Sequence, residues 1–253
     1  MFCCLGMLGS ASTWTFNVVQ QIAQSLAPDR PVRPVFVAGA LPACDDTAET
    51  LVIKTHGTDN MRALGRRAKA IIITIRDPRD AIASLMQHNK ASFGFAAGVT
   101  EVSALACARL ASHRRALLLR FEDRFFDDPE TVGRIARLFP GDLANGESTR
   151  IFEALRRDAV EAFIAKLETL RTTERIFDEM TGQWDTFDAA SGWHKHHAGR
   201  DAEVGRWRRE LSNAQATAVE RRMQGWMERF GYLPQTSQPR SYRLSVGRYG
   251  IVD

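Results

Sequence analysis

A doubly wound α/β domain on a mostly parallel sheet is the fold this sequence predicts. Three observations carry the prediction: short apolar runs bounded by breaker residues, helical segments in the intervals, and regular alternation of the two. The runs cover residues 1–7, 35–37, 51–53, 70–75 and 116–121. They are apolar at consecutive positions, the pattern of strands buried on both faces.

Taken in order, the first run leads into small, hydroxylated residues and then a helix over 13–26, whose stripe is Trp14, Val18, Ile22 and Leu26. Runs at 35–37 and 51–53 follow as strands. The run at 70–75 precedes a helix over 77–87, where Asp77 is the capping carboxylate and Pro78 takes the first helical position. A helix near 101–113 comes before the fifth run, with mixed charge on its exposed spacing. Asp128 and Pro129 repeat the same start signal for a helix over 129–139. Beyond Gly141 the pattern is helical, over 149–171 and 213–230, the latter capped by Ser212 and closed by Gly231 and Pro234. The stretch 182–200 reads as irregular. One domain over 1–234 and a peripheral tail over 235–253 are the expected organisation.

Composition narrows the function classes. The chain has 253 residues, 44% hydrophobic and 25% charged, enough to bury a full core. Of 34 basic residues only Lys54, Lys69, Lys90, Lys166 and Lys195 are lysines, and an arginine bias suits flat recognition of phosphate or sulfate. Both signs of charge are interspersed, which argues against nucleic acid as a partner. Four cysteines without CxxC spacing oppose a disulfide framework or zinc site and point to a reducing cytoplasm, with Cys3 and Cys4 as small core residues. His194, His196 and His197 crowd one loop but lack a fourth ligand for zinc. No basic side chain precedes Arg30, so no export signal is expected, and no membrane span either.

Three segments carry candidate chemistry. The turn from Gly6 through Gly9, Ser10, Ala11, Ser12 and Thr13 to Trp14 can present backbone N–H groups to a phosphate or sulfate; it is neither a Walker A loop nor GxGxxG. Lys54 and His56 end the third apolar run, where strand ends form the ligand crevice of open α/β sheets. His56 reads either as a general base or as a strand-end imidazole bonded to backbone. Arg76 ends the fourth run, and Ser84 lies two turns into the next helix, so both could bond one phosphate; Asp80 suits the helix dipole better than catalysis.

Together these segments resemble the sulfotransferases that use 3′-phosphoadenosine 5′-phosphosulfate, PAPS. The family pattern P-[KR]-S-G-[ST]-T-W is met by Leu8-Gly9-Ser10-Ala11-Ser12-Thr13-Trp14, K-T-H by Lys54-Thr55-His56, and R-[ND]-P-x-D-x-x-x-S by Arg76-Asp77-Pro78-Arg79-Asp80 through Ser84. Leu119-Arg120-Phe121-Glu122-Asp123 with Asp128-Pro129 looks like the family's YEDL…DP segment, and Gly205-Arg206-Trp207-Arg208 is similar to G-x-W-[KR].

The resemblance implies a P-loop NTPase-like sulfotransferase fold with a helical C-terminal part, and transfer of the PAPS sulfuryl group to a hydroxyl or amine of a small-molecule or glycan acceptor, without a metal. It implies that Ser10, Ala11, Ser12 and Thr13 hold the 5′-phosphosulfate, Trp14 stacks on adenine, and Arg76, Ser84 and Arg200 hold the 3′-phosphate. His56 would be the base and Lys54 the cation on the sulfuryl oxygens. Two departures matter: Gly9 stands for the family's Lys or Arg, and Ala11 for its Gly. An alternative reading is therefore a catalytically degenerate protein that binds the product nucleotide PAP. Phe121 replaces the usual tyrosine.

Overall fold

The computed structural model describes residues 1–43, 45, 47–178, 183–195, 202–232 and 234. Its strands are β1 (Phe2–Gly6), β2 (Val32–Phe36), β3 (Thr50–Thr55), β4 (Ala70–Ile75) and β5 (Ala116–Arg120), with a hairpin of β6 (Thr173–Asp178) and β7 (Gln183–Asp188). The helices of the first half are α1 (Ser12–Leu26), α2 (Met61–Arg67), α3 (Pro78–His88), α4 (Phe93–Leu110) and α5 (Glu130–Ala136). Then come α6 (Glu147–Ala154), α7 (Arg157–Ala165), α8 (Trp207–Glu210), α9 (Asn213–Arg222) and α10 (Gln224–Arg229).

The first five strands form one parallel sheet in the order β2-β3-β1-β4-β5. β1 is central, and the chain first builds the sheet to one side of it, through β2 and β3, and then to the other. Strand order therefore reverses around β1, which places a crevice at the carboxyl ends of β1, β3 and β4. β2 is an edge strand and accommodates Pro34, whose missing N–H an edge tolerates.

Alternate strand residues serve two cores. Cys3, Leu5, Leu51, Ile53, Ile71 and Ile73 pack beneath α4 and the C-terminal helices. Phe2, Cys4, Val52 and Ile72 pack against Val18, Val19 and Ile22 of α1. Every residue of β1 and β4 is buried, as the unbroken apolar runs require. Truncating a central member such as Ile73 to Ala would cost about 2–5 kcal/mol through lost burial and the cavity left behind. Cys3 and Cys4 are fully buried and burial pushes both thiols up, Cys4 to about 12, so they are core residues as expected. Cys44 lies outside the described residues.

Several sequence-based boundaries shift, each for a physical reason. Helix α4 begins at Phe93, with Ser92 accepting from Phe95 N, well before the expected residue 101. Gly94 and Gly98 and an apolar surface on all sides hid its first half. Nor is its far side a charged face: Val102 and Leu105 are exposed at 65% and 48%. By length and composition alone this helix could cross a bilayer, which the sequence reading did not anticipate; its Ala96, Thr100, Ala104 and Cys107 pack into the fold. The expected helix over 149–171 breaks between α6 and α7, and that over 213–230 breaks at Met223. Helix α2 and the β6–β7 hairpin were not anticipated, and β7 occupies part of the stretch read as irregular. Two caps are as predicted: Asp77 accepts from Arg79 N and Ser212 forms a full capping box with Gln215. Asp128 accepts from Glu130 N, but Pro129 takes the cap position of α5, which ends at Ala136, short of the expected 139. The tail over 235–253 lies outside the described residues.

Candidate active site

The turn after β1 is held by its own contacts. Ser10 Oγ donates to Met7 O at 2.6 Å and lies 2.8 Å from Thr74 Oγ1 on β4. Gly6 has no space for a side chain, because a Cβ there would stand 2.4 Å from Thr74 Oγ1 and 2.5 Å from Ser12 Cβ. Gly9 and Ala11 both take left-handed backbone, at φ 73° and 62°. For Ala11 that geometry costs about 1–2 kcal/mol, which a glycine would largely avoid. The α1 ladder starts with Trp14 N and Thr15 N donating to Ala11 O, so the N–H groups of Ser12 and Thr13 stand ahead of it. A turn fixed this way can cradle an anion through backbone donors.

Lys54 and His56 emerge from the end of β3 beside that turn. Lys54 Nζ is buried and donates to Thr13 Oγ1 at 2.6 Å, which puts a cation against the start of α1. Burial lowers its pKa to about 8, partly offset by the neighbouring Cys4 thiol. His56 Nδ1 is 2.7 Å from Gly6 O. A carbonyl only accepts, so Nδ1 carries the proton and the neutral ring keeps its lone pair on Nε2. Burial, with the Lys54 charge beside it, lowers the His56 pKa to about 4, so the ring is neutral at ordinary pH. The backbone-bonded reading of His56 is met, and that bond selects the tautomer whose Nε2 can accept a proton.

Arg76, from the end of β4, spans the crevice. Its Nη1 donates to Gly9 O at 3.0 Å and its Nη2 to Glu203 O at 2.9 Å, while its guanidinium lies 4.0 Å from the centre of the Phe121 ring. Among the described residues its buried Nε has no hydrogen-bond partner, an orphaned donor of the kind an anion would satisfy. A Cβ on Gly9 would stand 3.8 Å from both Arg76 Nη1 and Ser84 Oγ, so the turn, Arg76 and Ser84 converge. Beneath them Glu122 accepts from Asp77 N and from Tyr232 Oη, and burial raises its pKa to about 7.

Not every predicted residue takes its expected place. The Trp14 ring is 4% exposed, tilts against Phe125, and donates through Nε1 to Leu155 O. As placed it is a core side chain, and stacking on adenine would require it to bare a face. The Ser10 hydroxyl is spent inside the turn, leaving backbone donors for the anion. Arg200, like His196 and His197, lies outside the described residues. His194 pairs with Asp185 at 2.6 Å and stacks on Phe187, and among the described residues no group of His, Cys, Asp or Glu side chains suits a metal. Trp193 packs against the α1-side core, whereas Trp184 is 62% exposed.

Asp80 has a role the sequence reading gave only to the helix dipole. Its Oδ2 accepts from Gly205 N at 2.6 Å and its Oδ1 from Trp207 N at 2.9 Å, so it fastens the G-x-W segment to α3 and brings Glu203 O onto Arg76. The approach of the β7 loop has no local signal: Asn17 Nδ2 donates to Ser191 O, and a Cβ on Gly192 would stand 3.6 Å from Lys54 Nζ.

No protein-family model and no curated protein sequence matches the chain. Solved structures do. Retinol dehydratase with androsterone and the inactive cofactor PAP superposes with a TM-score of 0.57 at 16% identity, over 90% of this chain and 80% of that one. Mouse sulfotransferase SULT7A1 complexed with PAP gives 0.58 at 12%, over 89% and 84%. The fold is that of a sulfotransferase. Retinol dehydratase with retinol and PAP matches similarly, at 0.57 and 17% identity over 90% of this chain and 80% of that one. Identity this low carries the architecture alone, and what the chain does rests on its own residues.

Proposed function

We propose that this protein is a PAPS-dependent sulfotransferase acting on a hydroxyl, or an amine, of a small-molecule or glycan acceptor. One observation carries the reading: the ends of β1, β3 and β4 bring a backbone anion cradle, a buried cation, a tautomer-fixed imidazole and a clamp arginine to one crevice. The orphaned Arg76 Nε and the close approach of Gly9 to Arg76 and Ser84 fit a nucleotide phosphate.

PAPS, when bound, supplies a sulfuryl group already activated by its phosphosulfate anhydride. The chain then has positioning and charge to contribute, which dominate transfers of this kind. His56 Nε2 accepts the acceptor proton, with Nδ1–H held by Gly6 O. Lys54 opposes negative charge gathering between the cradle and the acceptor, and so stands in for the cation that Gly9 lacks. Arg76 and Ser84 address the 3′-phosphate, and residues Ser12 and Thr13 offer backbone N–H groups to the 5′ side. The degenerate alternative, PAP binding without turnover, is favoured by one observation only, the missing cation at Gly9. His56→Ala separates the two: turnover of PAPS should fall about 100-fold to 10,000-fold with PAP affinity within a few-fold. An intact protein with no turnover on any acceptor panel, yet normal PAP binding, would favour the alternative.

A further inference from the structure

The groove between α2 and α4 holds a cavity of about 540 Å³ that shares no lining residue with the nucleotide crevice. Arg62, Arg66 and Arg109 line it together with His113, Asp59 and the floor residue Gly65. The three arginines are exposed, and among the described residues none makes an ion pair. Three cations face one carboxylate there. Arg62 and Arg66 lie one helical turn apart, a like-charge pair that α2 sustains at some cost. Helix α4 brings Arg109 from its last turn.

His113 completes the donor set. Its Nδ1 accepts from Arg115 N at 3.2 Å, so the proton of the neutral ring sits on Nε2, and Nε2 donates whether the ring is neutral or charged. That atom lies 4.0 Å from where a Gly65 Cβ would stand, and such a Cβ would also meet Leu110 Cδ2 at 3.2 Å. The missing side chain therefore lets the helices close and keeps Nε2 at the cavity floor. The wall then presents guanidinium and imidazole N–H donors, with Asp59 as the one charged acceptor. A volume of this size suits a ligand of one or two rings, and a concave basic surface concentrates anions.

We propose that this groove is a second oxyanion site, for a small ligand bearing a phosphate or sulfate ester, separate from the nucleotide crevice. Guanidinium forks grip the ester oxygens, and His113 Nε2–H reaches one from below. Asp59 repels the same group and limits affinity.

The test is calorimetric titration of the full chain with glucose 6-phosphate and, separately, glucose 6-sulfate, each with and without saturating PAP. One added site of millimolar affinity or better is expected in the presence of PAP, and the two esters identify which source the site prefers. Arg66→Ala with Arg109→Ala should weaken it at least 10-fold, and Asp59→Asn should tighten it several-fold. PAP affinity should stay unchanged in both variants, so failure of the nucleotide reading would show separately in the PAP titration. No heat with either ester, or affinity that survives the double arginine change, overturns the proposal.

Discussion

Replacing Asp80 with alanine should loosen the crevice from a distance. Asp80 is fully buried, and each of its oxygens accepts one backbone N–H, from Gly205 at 2.6 Å and Trp207 at 2.9 Å. Losing the carboxylate leaves two buried donors without partners, at about 1–3 kcal/mol each. Burial already raises the Asp80 pKa despite Arg76 nearby, so relief of that desolvation offsets part of the loss. A net loss of about 2–5 kcal/mol is expected. Asp80→Asn keeps one acceptor oxygen and should lose roughly half as much. The same change frees the segment that carries Glu203 O to Arg76 Nη2, so PAP affinity should fall with stability. Urea denaturation of the three proteins, with PAP titrations on each, measures both effects. An alanine variant within 0.5 kcal/mol of the parent, a bound set well below the cost of one orphaned donor, would refute the anchoring argument.

Acid and alkaline limits of kcat/KM should sit near pH 4 and pH 8, the values to which burial brings His56 and Lys54. A limb near 6.5 would contradict the burial shift of His56. The His56 shift also sets a sign for stability: the unfolded ring protonates near 6.5 and the folded one near 4, so stability is lost as pH falls through that window and is complete above it. Ala11→Gly, at φ 62°, should raise Tm by about 2–4 °C by relieving left-handed backbone, whereas Gly9→Lys, at φ 73°, should lower it by a similar amount. A Gly9→Lys chain of unchanged Tm would show that the turn tolerates a side chain and that a cation can be restored there.

Sequence legibility followed the range of the interactions involved. β1, β3 and β4 were readable because burial on both faces leaves an unbroken apolar run, and the charged residues ending those runs mark the crevice. Asp77 and Ser212 were readable because caps act within three residues. Asp80 was undervalued because its partners, Gly205 and Trp207, lie 125 and 127 residues away. Trp14 was assigned by resemblance to a base-stacking place, yet a tryptophan one turn into a helix can equally face the core, and Phe125 and Leu155 decide which. The first half of α4 escaped because a helix apolar on all sides shows no stripe, and Gly94 and Gly98 lower its propensity. The hairpin escaped because its apolar residues Ile176, Phe177 and Trp184 are exposed and follow no core pattern.

The central claim is that this crevice recognises a nucleotide carrying a 3′-phosphate, and calorimetric titration with PAP against ADP tests it most directly. On the proposed reading Arg76 and Ser84 address the group that ADP lacks, and charge-assisted bonds contribute about 1.5–3 kcal/mol each. PAP should therefore bind at least about 10-fold more tightly than ADP, and Arg76→Ala should remove most of that preference. Equal affinity for PAP and ADP in the intact protein would contradict the account.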